Sequence, residues 1–428
     1  MRAGMGTRDT HALTAQITEL PRLAGLRAAL GADFPTPLYL VGGAVRDLLL
    51  GREPLDLDLA VEGPLDQLIA RLRAGAGAGG QLTGATDSVG AGARLGPAAA
   101  SVDAHARFGT ATVSVGGVRY DIARTRAERY ARPGALPEVS AAGIVDDLRR
   151  RDFTVNALAV GLTGERAGEL ICVPHALADL GDSRLRVLHD ASFVDDPTRL
   201  WRLARYQARL GFQVEPHTRQ LAAEALSGGA LGTLSGARIG NELRLALAEA
   251  DPLSTLNAAA ALGLGFAVDG ALARRALSAL PAECDREMVL LSLALLDSCA
   301  ERLRAQLEEL EFTAAQRDLV AQAASGAREL GARVSAARSG SQIAAAVGTA
   351  SLEALAVAGA VTPSEPLHRW LGELRFRRLE IGGDDLIAAG IQPGPGLGRG
   401  LAAARDALLD DQAPDREAQL AVALAAAR

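Results

Sequence analysis

The residues best suited to chemistry are the two aspartates of Leu55-Asp56-Leu57-Asp58-Leu59. In a strand, side chains alternate between faces, so the three leucines would enter a core while Asp56 and Asp58 share the other face. Two carboxylates on one face repel each other unless a cation lies between them, and a hard divalent ion with oxygen ligands suits that place. The same pattern also fits an ordinary amphipathic edge strand with a solvated polar face. Asp121 shifts the balance. It falls in the second strand of a hairpin expected over residues 111–123, on the face opposite Val118, Tyr120 and Ile122. If that strand neighbours the first, three acids converge, enough to hold two metal ions about 4 Å apart. Such a site serves phosphoryl or nucleotidyl transfer, where the protein's task is positioning and charge neutralisation.

These acids need elements to carry them, and the surrounding sequence supplies a strand–turn–helix. Leu38–Val41 reads as a strand, Gly42-Gly43 as a turn and residues 44–51 as a helix. Glycine lets backbone N–H groups approach a ligand closely, and a helix N-terminus favours anions. Arg46 could add a planar guanidinium to a phosphate. Alone, such a step is a plain turn; beside paired aspartates it reads as a phosphate cradle. A helix follows over 65–73, and the hairpin turns at Gly116-Gly117, which supplies the positive φ values of a two-residue turn. Residues 74–104 are rich in Gly, Ala and Ser and read as a surface insert without an assigned role. From about residue 176 helical periodicity dominates and strands are not expected.

Composition bounds the partners. The 428 residues include 45 Lys plus Arg and 51 Asp plus Glu, a net charge of −6, with no lysine at all. A nucleic-acid surface must therefore be a local arginine patch. Three widely spaced cysteines, Cys172, Cys284 and Cys299, form neither a disulfide framework nor a CxxC site, and favour a reducing cytoplasm. No secretory leader and no membrane span is expected.

Several longer stretches resemble one family. Residues 41–61 (VGGAVRDLLLGREPLDLDLAV), 105–139, 146–160 (DDLRRRDFTVNALAV), 195–212 (DDPTRLWRLARYQARLGF), 237–247 and 382–401 are similar, in this order, to motifs of class II tRNA nucleotidyltransferases and bacterial poly(A) polymerases. The resemblance implies an α/β nucleotidyltransferase palm of the polymerase-β type with a small mixed sheet, followed by all-α neck, body and tail. The corresponding division is 1–35 lead-in, 36–165 catalytic head, 166–250 neck, 251–365 body and 366–428 tail. The implied activity is addition of CCA to the tRNA 3′ end from CTP and ATP, with two Mg²⁺ ions. Asp56, Asp58 and Asp121 would hold the metals. Gly42, Gly43 and Arg46 match the triphosphate segment, and Arg150, Asp152 and Asn156 a motif that contacts ribose and phosphates. An A-adding enzyme working with a separate CC-adding partner is the alternative; poly(A) polymerase and a non-catalytic tRNA-binding protein stand further off.

Asp196-Pro197-Thr198-Arg199 reads first as a helix start, with an N-cap acid followed by Pro. The resemblance adds a second reading, an amino-acid template for base choice. Cytosine and adenine both present an amine donor beside a ring-nitrogen acceptor, which a carboxylate and a guanidinium complement. Uracil and guanine present the reverse and would leave Asp196 and Arg199 facing like partners, a costly mismatch in a closed pocket. Both readings can hold together. Arg202, Arg205 and Arg209 continue one face of that helix with Tyr206, as a solvated basic stripe or as contacts to triphosphate or RNA. Arg124, Arg126, Arg129 and Arg132 fall on a segment similar to the family's flexible loop and are expected to hold acceptor RNA. Gly394, in a Gly/Pro turn between helices, resembles a backbone phosphate hairpin.

Overall fold

The computed structural model describes residues 14–76, 101–105 and 109–428, apart from the side chains of Ala76, Ala104 and His105. The insert expected at 74–104 lies almost wholly outside the described residues, as does the start of the lead-in. The chain divides into two compact units, residues 1–234 and 235–428, a break that falls inside the stretch expected as the neck.

The first unit carries strands β1 (Leu38–Val41), β2 (Asp58–Val61), β3 (Ser101–His105), β4 (Thr110–Val115), β5 (Val118–Arg124), β6 (Arg126–Arg129), β7 (Glu138–Ala141), β8 (Leu158–Gly161) and β9 (Leu170–Cys172). Seven form one mixed sheet in the order β3-β4-β5-β2-β1-β8-β9, and β6 pairs with β7 separately. The central strands β1 and β8 are apolar along their length and fully buried, as strands covered on both faces must be. β4 alternates, burying Ala111, Val113 and Val115. Gly116 and Gly117 both take positive φ and close the β4–β5 hairpin as expected. Helices α1 (Pro21–Leu30), α2 (Gly43–Leu49) and α3 (Leu65–Ala76) pack on the sheet through Leu23, Leu26, Val45, Leu68 and Leu72. Each such side chain contributes about 1.5–3 kcal/mol on leaving water.

The acidic run departs from expectation at its start. β2 begins only at Asp58, and Leu55 and Asp56 lie in a bend, with Leu55 86% exposed rather than in the core. Leu57 and Leu59 are buried as expected. The reason is the partner strand: β1 pairs as far as Leu40 opposite Leu59, and beyond Val41 the chain turns into α2. Residues before Asp58 therefore have no ladder on that side.

Further along stand α4 (Ile144–Arg149), a 3₁₀ turn over Thr154–Asn156, α5 (Ala176–Gly181), α6 (Ser192–Asp195), α7 (Thr198–Leu210) and α8 (Pro216–Ser227). Strands do not vanish after residue 176, because β10 (Arg184–Leu185) and β11 (Gln213–Val214) form a short parallel pair. Two-residue strands are too short to show alternation in the sequence.

In the second unit the described residues form helices α9 (Gly236–Leu247), α10 (Pro252–Ala261), α11 (Gly270–Ala279), α12 (Arg286–Ala294), α13 (Ala300–Glu309), α14 (Ala314–Ser335), α15 (Gly340–Val347), α16 (Leu352–Val361), α17 (Glu365–Gly372), α18 (Gly383–Ala388), α19 (Pro395–Leu409) and α20 (Arg416–Ala427). Their starts are written locally. Ser235, Asp251, Asp269, Asp285, Ser339, Ser351 and Asp415 each accept a backbone N–H of the following turn, and Thr313 forms a capping box with Gln316. Each cap is worth about 1 kcal/mol. Small residues let α19 and α20 approach closely, since a Cβ on Gly400 would lie 2.6 Å from the Ala423 carbonyl oxygen. Among the described residues, no single helix is long and apolar enough to cross a membrane.

Candidate active site

The sheet ends of the first unit open into a cleft of about 560 Å³. Its floor is β2 and β5, which run parallel with Asp58 directly opposite Asp121. This is the adjacency the acidic pair required, and it puts two carboxylates in one cleft. Thr112 Oγ donates a hydrogen bond of 2.6 Å to Asp121, and Arg119 lies 3.2 Å from the same carboxylate. The Asp58 carboxyl is pushed above the usual carboxylate range, first by the protein crowding it. Arg151 opposes that shift, while the charges of Asp121 and Asp56 add to it. Asp56, in the bend before β2, does not line the cleft. Among the described residues, no group of three His, Cys, Asp or Glu side chains is gathered closely enough to hold a metal ion. The donors that do meet, Asp58 and Asp121, offer carboxylate oxygens alone, which suit a hard cation such as Mg²⁺.

One wall is the Gly42-Gly43 turn at the start of α2. Gly42 has φ +70°, and a Cβ there would sit 2.7 Å from an Arg151 guanidinium nitrogen. The first strains any side chain, and the second would push the Arg151 guanidinium aside. Gly42→Ala is expected to cost about 1–2 kcal/mol through its left-handed backbone, and to displace Arg151. Thermal unfolding together with nucleotide titration would check this, an unchanged profile in both refuting it. Arg46 is buried rather than extended toward solvent. It donates to Asn156 Oδ1 at 2.6 Å and to Asp47 at 2.8 Å.

Behind the turn lies a buried polar network. Asp152 accepts from Arg202 at 2.8 Å, from the Asn156 amide at 3.1 Å and from the Phe153 N–H at 2.8 Å. Burial alone would raise its pKa, but Arg202, Asn156 and the Phe153 N–H outweigh burial and hold it below the usual range. The Tyr206 ring has Arg46, Arg202 and Arg209 each within 5.8 Å of its centre and Phe153 against its edge. The stripe on α7 is thus partly an internal cation–π cluster and not simply a solvated face. Arg205 does not line the cleft.

Arg150, expected to contact nucleotide, lines the cleft and is also held by groups of the protein itself. It donates to Asp147 at 2.7 and 3.0 Å, to Glu128 at 2.9 Å and to the Arg126 carbonyl at 3.1 Å. These bonds tie α4 to the β6–β7 hairpin. Arg126 lines the cleft and pairs with Glu128 at 3.0 Å. Arg124 ends β5 and borders a separate groove with Arg73, whereas Arg129 and Arg132 are exposed. Gly394 precedes α19 in the second unit.

Asp196 and Arg199 both line the cleft. Asp196 Oδ1 accepts from Thr198 N at 3.2 Å and from Thr198 Oγ at 2.7 Å, but the N-cap of α7 is Pro197 and not the expected Asp196. Arg199 donates to Ser192 Oγ and to the Arg150 carbonyl, both at 2.7 Å. Tyr130 reaches this corner from beyond β6 and donates to Glu128 at 3.1 Å. Burial, then the Glu128 charge, pushes its hydroxyl up to about 12. The sequence reading missed Asp147, Arg151, Glu128 and Tyr130. The spacing of Asp147 three and four residues before Arg150 and Arg151 was the available signal.

A family model of the poly A polymerase head domain matches residues 38–86 and 95–186. Over 402 residues the chain is 33% identical to the CC-adding tRNA nucleotidyltransferase of Deinococcus radiodurans, a match covering 93% of this chain and 91% of that one. It is 37% identical over 254 residues to the A-adding tRNA nucleotidyltransferase of Geobacter sulfurreducens, covering 57% of this chain. The chain thereby spans about a quarter of that relative's length, 26%. The Thermotoga maritima CCA-adding enzyme complexed with tRNA has a similar structure, with a TM-score of 0.76, 26% identity and 98% of each chain covered. The head match lies over the acidic floor and the glycine turn, and one relative aligns almost end to end. On these grounds the chain belongs to the family of class II tRNA nucleotidyltransferases and poly(A) polymerases.

Proposed function

We propose that this protein adds nucleotides to the 3′ end of tRNA without a nucleic-acid template, completing CCA from CTP and ATP. The observation that carries the reading is the register of Asp58 opposite Asp121 on the floor of a cleft that also holds Asp196 and Arg199. In the reaction, the tRNA 3′ oxygen forms a bond to the α-phosphorus of the incoming nucleotide as the bond to the bridging oxygen of pyrophosphate breaks. Asp58 and Asp121 would hold Mg²⁺, joined by Asp56 if the bend before β2 turns inward. Bound there, Mg²⁺ would neutralise charge on the triphosphate and lower the pKa of the attacking hydroxyl. The protein's own groups position the rest. The Gly42 N–H already donates to the Leu158 carbonyl at 2.9 Å, so the first turn of α2 behind it would offer N–H groups to phosphate oxygens, and the Asp152–Arg202–Asn156 network fixes the wall against which ribose would lie.

Asp196 and Arg199 supply the base choice. The carboxylate accepts from the exocyclic amine of C or A. Each terminal nitrogen of Arg199 carries a second hydrogen beyond the one already donated, which can meet the ring nitrogen. A pair complementary to both bases supports use of CTP and ATP together. The Geobacter likeness favours a second reading, addition of A alone.

Incubation with tRNA lacking CCA and tRNA ending in CC, with CTP, ATP or both, separates these readings. Full CCA on the first tRNA is the expected product. Extension of only the CC-ending tRNA, by ATP, would establish the A-adding reading, while a ladder of A would establish poly(A) synthesis. No extension under any combination with Mg²⁺ would overturn the proposal.

A further inference from the structure

Asp147 is 1% exposed and sits between two guanidiniums of the cleft. One of its oxygens accepts from Arg150 Nε and from an Arg150 terminal nitrogen, and from the Arg126 N–H at 3.2 Å; the other accepts from Arg151 at 3.0 Å. Arg150 has further anchors in Glu128 and the Arg126 carbonyl. Arg151 does not. Among the described residues its side chain makes a single hydrogen bond, to Asp147, and its Nε is buried without a partner.

Arg151 also shares the cleft with Asp58. It reaches the Gly42 backbone, and is the chief positive charge acting on the Asp58 carboxyl. Two carboxylates therefore compete for one lightly anchored guanidinium. Asp147 holds it from one side, and Asp58, at the cleft floor, attracts it from the other. A guanidinium that swung onto Asp58 would occupy the carboxylate oxygens a divalent cation needs.

We infer that Asp147 is a positioning residue that keeps Arg151 off Asp58, and so keeps the floor carboxylates open to a divalent cation. This rests on the reading of Asp58 and Asp121 as metal ligands. It concerns no step of the reaction itself, and its signature is cation affinity in the full chain without nucleotide or tRNA.

The probe is Mn²⁺ binding followed by electron paramagnetic resonance. Asp147→Asn, which preserves shape and removes charge, is expected to weaken Mn²⁺ binding about 10-fold, the lower end of what loss of an outer partner costs a metal site. Adding Arg151→Gln to that variant is expected to restore binding, since the competing cation is gone. A merely structural role for Asp147 would not be rescued in this way. Glu128→Gln, which loosens the hairpin without touching Arg151, is expected to leave Mn²⁺ binding unchanged.

The inference is overturned if Asp147→Asn binds Mn²⁺ like the wild type, if Arg151→Gln fails to restore binding, or if Glu128→Gln weakens it equally. Arg151→Gln in the otherwise wild-type chain provides a check that does not depend on Asp147→Asn folding. It must bind Mn²⁺ at least as tightly as wild type, and weaker binding also overturns the inference. Asp58→Asn separates the two levels. Wild-type binding indifferent to Asp58→Asn overturns the metal reading and this inference with it. Binding that needs Asp58 yet ignores Asp147→Asn overturns this inference alone.

Discussion

Asp58→Asn is expected to lower nucleotide incorporation by about 10³-fold while leaving the fold at least as stable as wild type. On the proposed role of Asp58, the rate loss follows from removing a charge that would organise the reacting phosphate, the largest kind of single-residue effect on such chemistry. The stability prediction follows from the sign of its pKa shift. Neighbouring protein raises the Asp58 carboxyl in the folded state, so its ionised form is disfavoured there relative to the unfolded chain, an effect that solvent reduces because Asp58 is an exposed residue. That strain is present above the folded pKa and is relieved as pH falls through it, because the folded state then binds the proton more tightly. An uncharged amide removes the strain at neutral pH. Incorporation assays paired with thermal unfolding at pH 7 check both halves. A variant that loses activity together with stability would show Asp58 to be a structural residue.

Asp152→Ala should do the opposite, striking stability first. Its carboxylate is buried and bound by Arg202, Asn156 and the Phe153 N–H. Removing it takes from Arg202 its salt bridge of 2.6 Å in the wall of the cleft, where the Arg202 side chain is 37% exposed. The partial exposure reduces the loss from that of a fully buried pair to about 2–3 kcal/mol. Here the pKa is depressed: burial pushes it up, but Arg202 and the hydrogen bonds prevail. The pair's contribution is therefore complete above the ordinary Asp range and is lost as pH falls through the folded value. Denaturant unfolding of both proteins between neutral and acid pH should show the difference narrowing toward low pH. A constant difference would mean that the cost comes from the cavity and not from the charge. Arg202→Met in the Asp152→Ala background should recover part of the loss, as a second variant from which the guanidinium that Asp152 bonded is also gone.

The contrast between these two aspartates shows what was readable in the chain. The strand–turn–helix at 38–49 could be found because each residue there answers to one local rule: a buried apolar strand, a glycine at positive φ, a helix behind it. The helical second unit was readable from its apolar periodicity, and eight of its twelve described helices also start at a Ser, Asp or Thr cap. Leu55 was misjudged because alternation says which face a residue would take in a strand, and says nothing about where the ladder stops. That limit is set by β1 turning away at Gly42. The three arginines at 149–151 were not separable in the sequence for a related reason. Three successive arginines look equivalent in sequence, yet Arg150 becomes a strut to the hairpin, Arg151 a lightly held cation over the floor, and Arg149 an exposed residue paired with Asp146.

The sequence by itself determined the types of groups available and the elements on which they ride. It placed hard oxygen donors in two strands, a side-chain-free turn before a helix, and an acid and an arginine at the head of α7. Those follow from interactions within a few residues, which the chain carries wherever it goes. Tertiary structure alone decided the pairings: Asp58 beside Asp121, Arg202 on Asp152, Arg46 on Asn156, Asp147 between Arg150 and Arg151. The physical reason is that a charge's partner is set by distance and burial after the sheet has closed, and segments dozens of residues apart reach that distance only in the folded molecule.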